Sequence, residues 1–482
     1  MAGLDPDDWG SLRALGHRML DDMIDRLAAQ SSDGDPAGNP VWQPMPASER
    51  QALRRSLPRG PSDPAVLYQE FQQRIVPYAL GNTHPRFMGW VHGGGTGIGM
   101  LAEMLAAGLN ANLGGRDHAP IELERTVVRW AAEMVGMPDT SSGLLVTGSS
   151  MANMIAVLTA RRAHAGPSVR HGGVGGLGLV GYAGSSAHGC IPRAFDMAGL
   201  GTDALRAVPV DADHRMSLPA LAAAIARDRA AGLHPFIVVA TAGSVDTGAI
   251  DDLDAIATLC ARERIWFHVD GAFGALAALS PTLRPRLAGI ERADSLAFDF
   301  HKWAQVPYDA GCVVVRDARA QADAFAQTLA YLSREDRGAA GNAPWPCDLG
   351  PDLSRGFRAL KVWMTLGTYG ADRMGEMVDQ CCAVARHLAA RIEAEPDLEL
   401  LAPVGLNIVC FRFCRGAEDL DWLNAELVKD LHESGIAVPS TTTIDGVRAI
   451  RAAIVNHRTE NRDVDIMIDG LLGLAAVRQS PS

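Results

Sequence analysis

Between about Gly81 and Tyr369, apolar runs of strand length alternate with stretches of helical periodicity. Strands are predicted at 144–147, 177–182, 236–241, 265–269, 295–298 and 312–315, with helices at 153–162, 218–229 and 253–264. Alternation of this kind implies a mostly parallel sheet covered on both faces. Ahead of it, Leu12, Leu15, Met19, Met23 and Leu27 recur at helical spacing and predict a helix within the first thirty residues. A stretch rich in Pro, Gly, Ser and Asp follows from Ser31 to Pro64, holding one short helical run at 48–57. Beyond 370 the pattern is smaller: helices at 372–393, 419–434 and 463–477, and strands near 406–413 and 447–454. The chain therefore divides into an N-terminal helical segment (1–80), a large α/β domain (81–369) and a small C-terminal α+β domain (370–482).

Two of the predicted strands end abruptly in chargeable groups. The run from Ile265 to Val269 delivers Asp270, and Ser295-Leu-Ala-Phe-Asp-Phe-His-Lys-Trp303 delivers His301 and Lys302. Buried carboxylates and lysines are costly unless paired, and open α/β sheets bind ligands beyond the carboxyl ends of their strands. A lysine and an acid so placed suit pyridoxal 5′-phosphate, whose aldehyde bonds to the amine while the acid holds the ring nitrogen protonated. The bland reading of each residue alone is a solvated strand cap.

A phosphate site is also present in the pattern. Leu144-Leu-Val-Thr-Gly-Ser-Ser-Met-Ala-Asn153 reads as strand, tight turn and helix start. Ser149 and Ser150 place hydroxyl and amide donors at a helix N-terminus, where anions bind; a simple serine cap is the plainer alternative. His188 follows another strand, near the same edge, and could stack on a planar cofactor.

Composition narrows the class. Of 482 residues 48% are apolar and 21% charged, the profile of an ordinary globular protein. A net charge of −12 argues against a nucleic-acid surface. No apolar run of membrane-spanning length and no leader-like N-terminus is evident, and a cytoplasmic location is expected. The eight cysteines fall in neither a disulfide framework nor a metal-binding spacing, so no metal is expected.

In its ordered motifs the chain resembles the group II pyridoxal-phosphate decarboxylases, the aromatic L-amino-acid decarboxylase family of the aspartate-aminotransferase fold (fold type I). The resemblance runs through His84-Pro-Arg-Phe87, 144–153, His188 ahead of Ile191-Pro-Arg193, Ala240-Thr-Ala-Gly-Ser244, His268-Val-Asp-Gly-Ala-Phe273, Asp299-Phe-His-Lys-Trp303 and Leu406-Asn-Ile-Val-Cys-Phe-Arg412. It implies decarboxylation of an L-amino acid, aromatic by default, to its amine. It makes Lys302 the lysine joined to the cofactor, Asp270 the partner of the ring nitrogen, and His188 and Ala272 the groups on the two ring faces. Ser149 and Ser150 would bind the phosphate with help from Ser295 and Asp299, and His301 would border the reacting centre. Tyr331, in a polar, glycine-ended segment that reads as a mobile loop, matches a tyrosine thought to protonate the decarboxylated intermediate. The resemblance also implies a homodimer with sites between subunits and the N-terminal segment packed on the partner.

Departures from the family pattern affect the substrate. Trp90, Val91, His92 and Arg116 occupy places of the typical aromatic side-chain pocket, and Arg116 with His92 leaves an acidic or other polar substrate open. An oxidative aldehyde synthase of the same family is a further alternative. Outside the family, His92-Gly-Gly-Gly95 with Ser150, Asp270 and His301 falls in the order of a lipase-like serine hydrolase, although Ala152 stands where the nucleophile elbow needs glycine. A non-catalytic scaffold that keeps the motifs is the remaining reading.

Overall fold

The computed structural model describes residues 3–30, 39–327 and 334–479. Its centre is a seven-stranded sheet of β1 (Ser142–Val146), β2 (Leu179–Gly184), β3 (Leu205–Val208), β4 (His234–Thr241), β5 (Trp266–Asp270), β6 (Ser295–Asp299) and β7 (Gly311–Val315). The spatial order is β1-β7-β6-β5-β4-β2-β3. The pairs β3–β2, β2–β4, β4–β5 and β5–β6 are parallel. β7 runs antiparallel to both β6 and β1, so β1 shares the direction of β6. The carboxyl ends of β1, β4, β5 and β6 consequently face one edge.

The central strands read as unbroken apolar runs because both their faces are covered. In β4, Val238 and Ala240 join the larger core, whereas Ile237 and Val239 meet Val157, Ile191 and Phe195 on the other side. The second face is covered by helices Ser149–Ala165 and Cys190–Met197; helices Leu218–Ala230 and Leu253–Glu263 contribute Leu221, Ile225 and Ile256 to the first. Each fully buried side chain of this size contributes about 1.5–3 kcal/mol. Gly311 opens β7 hard against the turn after β1: a Cβ there would lie 2.4 Å from the Cα of Gly148, so no larger residue fits. That contact places the turn beside the end of β6.

A smaller antiparallel sheet follows, β8 (Leu398–Leu400), β9 (Ile408–Phe413), β10 (Ser440–Ile444) and β11 (Val447–Ala453), in the order β10-β11-β9-β8. Buried Arg451 donates to the carbonyls of Val245 and Trp90, tying this sheet to loops at the edge of the large one.

The predicted strands of the large sheet are present with ends shifted by a residue or two. Unforeseen elements include β3, β8, β10 and the helices Pro64–Arg74, Gly97–Leu109, Ala119–Val135, Ala318–Phe325 and Arg358–Tyr369. β10 was hidden by its polar sequence Ser-Thr-Thr-Thr, although Asp445-Gly446, both at positive φ, is the turn that a hairpin demands. The N-terminal helix spans Trp9–Ala29, capped by Asp8, and leaves Trp9, Leu12 and Ile24 exposed. All eight cysteines are free. Among the described residues no helix is long and apolar enough to cross a membrane.

Candidate active site

A cleft of about 390 Å³ lies at the carboxyl edge of the large sheet. It is lined by Ser149, Ser150, His188, Asp270, Ala272, Asp299, His301 and Lys302, together with Trp90, Val91 and His92. Thus the sheet gathers residues from 90 to 302 into one place, each at or just beyond a strand end or in a rim loop.

β6 and the turn after it carry the charged centre. Lys302 Nζ lies 2.9 Å from Asp299 Oδ2, and both belong to the last residues leaving the strand. Burial works to lower the Lys302 pKa, but the carboxylates of Asp299 and Asp270 outweigh it and hold the ammonium above its ordinary value. Asp299 also accepts from the Ser149 amide at 2.6 Å and from the Ser149 hydroxyl at 2.7 Å. It thereby fixes the start of the helix after β1. A carboxylate repels a phosphate, so the expected help of Asp299 at that group would run through Ser149, which it orients while it pairs with Lys302.

Asp270, at the end of β5, is buried, and one of its oxygens accepts the Ala272 amide at 3.2 Å. Burial pushes its pKa up, opposed first by Lys302 and then by His188. A buried carboxylate facing a cleft with so few donors of its own is suited to an incoming cationic N–H. His188 is exposed at the opening, its ring held by the Cys190 amide donating to Nδ1 at 3.2 Å. His301 is held the same way, by the Ala310 amide at 3.0 Å on Nδ1, with burial lowering its pKa.

One wall is aromatic. His92 stacks on Phe87 at 5.7 Å and 9° and on Trp90 at 5.8 Å and 26°, and meets Tyr308 edge-on at 5.9 Å. Burial and then Lys302 lower its pKa, so the imidazole is a neutral ring. Tyr308, which sequence reasoning missed, also packs against His301 at 4.3 Å. Its signal was its position: six residues after Lys302 and just ahead of an antiparallel return strand, a segment that must fold back across the lysine.

Four readings need revision or stand apart. Ser295 does not reach the cleft. It opens β6 at the opposite edge, where its hydroxyl meets Trp266 Nε1 and His268 Nδ1, each at 2.8 Å. Arg116 does not line the cleft of this chain either. Its backbone sits at φ 92° and its exposed guanidinium stacks 4.7 Å over the ring of buried Trp345, a cation–π contact. Tyr331 lies outside the described residues. The hydrolase arrangement is not formed: among the described residues no hydrogen bond joins Ser150 to His301, and the carboxylate near His301 Nε2 is Asp299, at 3.8 Å, rather than Asp270.

The donor set fits pyridoxal 5′-phosphate. One amine, one buried acid, a serine-bearing helix N-terminus and an imidazole at the opening match the aldehyde, ring nitrogen, phosphate and ring face of that molecule.

Comparison with known proteins agrees. The profile described as the pyridoxal-dependent decarboxylase conserved domain matches residues 46–414. The chain belongs to that family: it is a carboxy-lyase dependent on pyridoxal 5′-phosphate. It is 32% identical to an aromatic-L-amino-acid decarboxylase of Bacillus atrophaeus, covering 94% of this chain and 93% of the relative. It is 31% identical to an L-2,4-diaminobutyrate decarboxylase of Rhizobium meliloti, over 86% and 83% of the two chains. Its backbone superposes on the crystal structure of Oryza sativa TDC with PLP and tryptamine at a TM-score of 0.90, with 25% identity, covering 99% of this chain and all of the other.

Proposed function

We propose that this protein converts an aromatic L-amino acid to its primary amine and CO₂, and that the cleft residues divide the work as follows. Lys302 holds the cofactor's aldehyde carbon, Asp270 keeps its ring nitrogen protonated, and His188 and Ala272 bracket the ring. The amide and hydroxyl donors of Ser149 and Ser150 receive the phosphate, with Asp299 orienting Ser149. Bound there, the cofactor supplies the electron sink into which the Cα–carboxylate bond can break. What remains for the protein is to orient that bond, exclude water and return a proton to Cα. Tyr331 is the candidate donor for that proton, and Tyr308 is a second phenol in the cleft, kept neutral by burial and by Asp299.

The observation that carries the substrate class is the wall of Trp90, His92 and Tyr308, backed by buried Phe87. Lys302 is the sole lysine or arginine among the described cleft-lining residues, and it is committed to the cofactor, so this chain's own cleft offers no cation to a side-chain carboxylate. Flat apolar rings instead suit an indole or phenol side chain. The similarity to a diaminobutyrate decarboxylase keeps a cationic polar substrate as the second reading.

The protein acts as a cytoplasmic homodimer. Exposed Trp9, Leu12, Ile24, Leu57, Val66 and Leu67 give the first eighty residues an apolar surface that a partner subunit would cover, closing the open side of each site. The division into residues 1–80, 81–369 and 370–482 follows the same logic, with the cofactor in the middle unit.

A panel of the standard amino acids and hydroxylated aromatics, scored for amine, CO₂ and oxygen uptake, tests the reading. Aromatic substrates should lead. Preference for an acidic or dibasic amino acid would overturn the aromatic assignment, and stoichiometric oxygen consumption with aldehyde formation would identify an aldehyde synthase.

A further inference from the structure

A line of hydrogen-bonding groups crosses the core from the far edge of the sheet to Asp270. Trp266 Nε1 lies 2.8 Å from Ser295 Oγ, and that oxygen lies 2.8 Å from His268 Nδ1. His268 Nε2 is 2.6 Å from Asn153 Oδ1, Asn153 Nδ2 is 3.3 Å from Cys190 Sγ, and Cys190 Sγ is 3.8 Å from Asp270 Oδ2. Ser295, His268 and Asn153 are wholly buried, and Cys190 and Asp270 are 4% exposed. Water therefore does not complete Ser295, His268 or Asn153, and each must be satisfied by its neighbours.

The chemistry of the groups gives the line a direction. An indole N–H can only donate, so Ser295 accepts from Trp266 and passes its own hydrogen to His268 Nδ1. Burial lowers the His268 pKa to about 3, leaving one ring proton, which sits on Nε2 because an amide oxygen can only accept. Asn153 then donates its N–H to the sulfur. Burial and Asp270 push the Cys190 thiol up, so it keeps its proton and presents it to the carboxylate. The opposite polarity has a specific alternative: His268 Nδ1 is also 3.1 Å from the Ser295 carbonyl, and a hydrogen placed there would require the Asn153 amide to turn over. The thiol would then donate to Asn153 and leave Asp270.

We infer that Asn153, His268 and Cys190 form a one-way hydrogen-bond chain whose last donor, the Cys190 thiol, positions Asp270 and favours its carboxylate form. This inference rests on the proposed role of Asp270 and extends it to residues outside the cleft. With the Ala272 amide on the other oxygen, Asp270 receives one donor on each oxygen from the protein. Donors to a charged acceptor favour the charged form, and chained bonds reinforce one another. Cys190 and Asn153 are positioning residues, acting on the ring nitrogen through Asp270.

The test reconstitutes apoenzyme with pyridoxal 5′-phosphate labelled with ¹⁵N at the ring. The ¹⁵N shift reports ring protonation, and an absorbance titration gives the cofactor Kd. Cys190→Val removes the donor at nearly constant volume; Cys190→Ser restores a donor. The valine variant should bind cofactor about five-fold more weakly and move the ring signal toward the neutral pyridine position, while the serine variant stays within about two-fold of wild type on Kd. Asn153→Leu, which leaves Cys190 in place, should move the signal the same way by less. Unchanged signals in both the valine and leucine variants, or equal losses in valine and serine variants, would overturn the chain. Wild-type protein that fails to bind the labelled cofactor would instead overturn the reading of the site itself.

Discussion

Replacing Asp270 with Asn isolates the contribution of one buried charge. The side chains are nearly isosteric, and Asn can keep the Ala272 amide on its oxygen while its Nδ2 faces Cys190 Sγ, which must then turn its hydrogen away and accept, so the packing is preserved. A hydrogen bond to a charged group is worth about 1.5–3 kcal/mol and a neutral one about 0.5–1.5. The exchange therefore costs the cofactor on the order of 1–2 kcal/mol, or ~5- to 30-fold in Kd. Turnover should fall further, on the order of 10²–10³-fold, because the lost charge acts where electrons accumulate. The apoprotein behaves oppositely. Burial pushes the Asp270 pKa up, so removing the carboxylate relieves a desolvation cost while Lys302 retains Asp299, and the apo melting temperature should hold or rise. Cofactor titration, CO₂ release and thermal melting of the same preparation measure all three. Near wild-type Kd and turnover would refute the assignment of Asp270 to the ring nitrogen, and a large drop in apo stability would refute the argument from burial.

Further outcomes follow from the same geometry. Arg116→Ala should leave the ranking across aromatic and acidic amino acids unchanged, since its guanidinium lies on Trp345; a reordered panel would show that it reaches the substrate from across a dimer interface. Tyr331→Phe should lower amine yield and raise oxygen consumption, giving aldehyde, ammonia and peroxide; an oxygen electrode showing no uptake and full amine yield would remove Tyr331 as proton donor. Acid should destabilise the fold. His84, His268 and His457 have pKa values lowered by burial to about 4, 3 and 3, so below their ordinary 6.5 the unfolded chain takes up protons the folded chain refuses. Asp251, raised by burial to about 6, and Asp270, also raised, oppose this by binding protons in the folded state, while His92 and His301, lowered by burial, add to it, so stability falls through the range from 6.5 down to the folded histidine values. Urea midpoints that stay flat from neutral pH into that range would contradict it.

The sequence was most readable where chemistry interrupts an apolar run. Asp270, His301 and Lys302 stood out because nothing in a buried strand explains a charge at its end, and the structure brings them to one edge with Ser149 and His188. Ser295 was misplaced because motif proximity to Lys302 does not reveal which end of a strand a residue occupies; four residues of extended chain carried it to the other side of the sheet. Arg116 was not placed by its motif for a related reason: position in a motif says nothing of Trp345, more than two hundred residues away, on which it stacks within this chain. Asn153 and His268 stood inside motifs without a role of their own and Cys190 was not singled out, and only their alignment in space joins them to Asp270. Helices Gly97–Leu109 and Ala119–Val135 escaped because the first is apolar and glycine-rich and the second opens on His118-Ala-Pro, without a side-chain cap.

The central claim is that Lys302, paired with Asp299 and flanked by Asp270, is the residue that holds pyridoxal 5′-phosphate. Borohydride reduction of the yellow holoenzyme followed by peptide mass mapping tests it directly. The wild-type protein should carry a single pyridoxyl adduct, on Lys302, and Lys302→Ala should lose the absorption band. An adduct on Lys361 or Lys429, or an enzyme that decarboxylates without binding the cofactor, would contradict it.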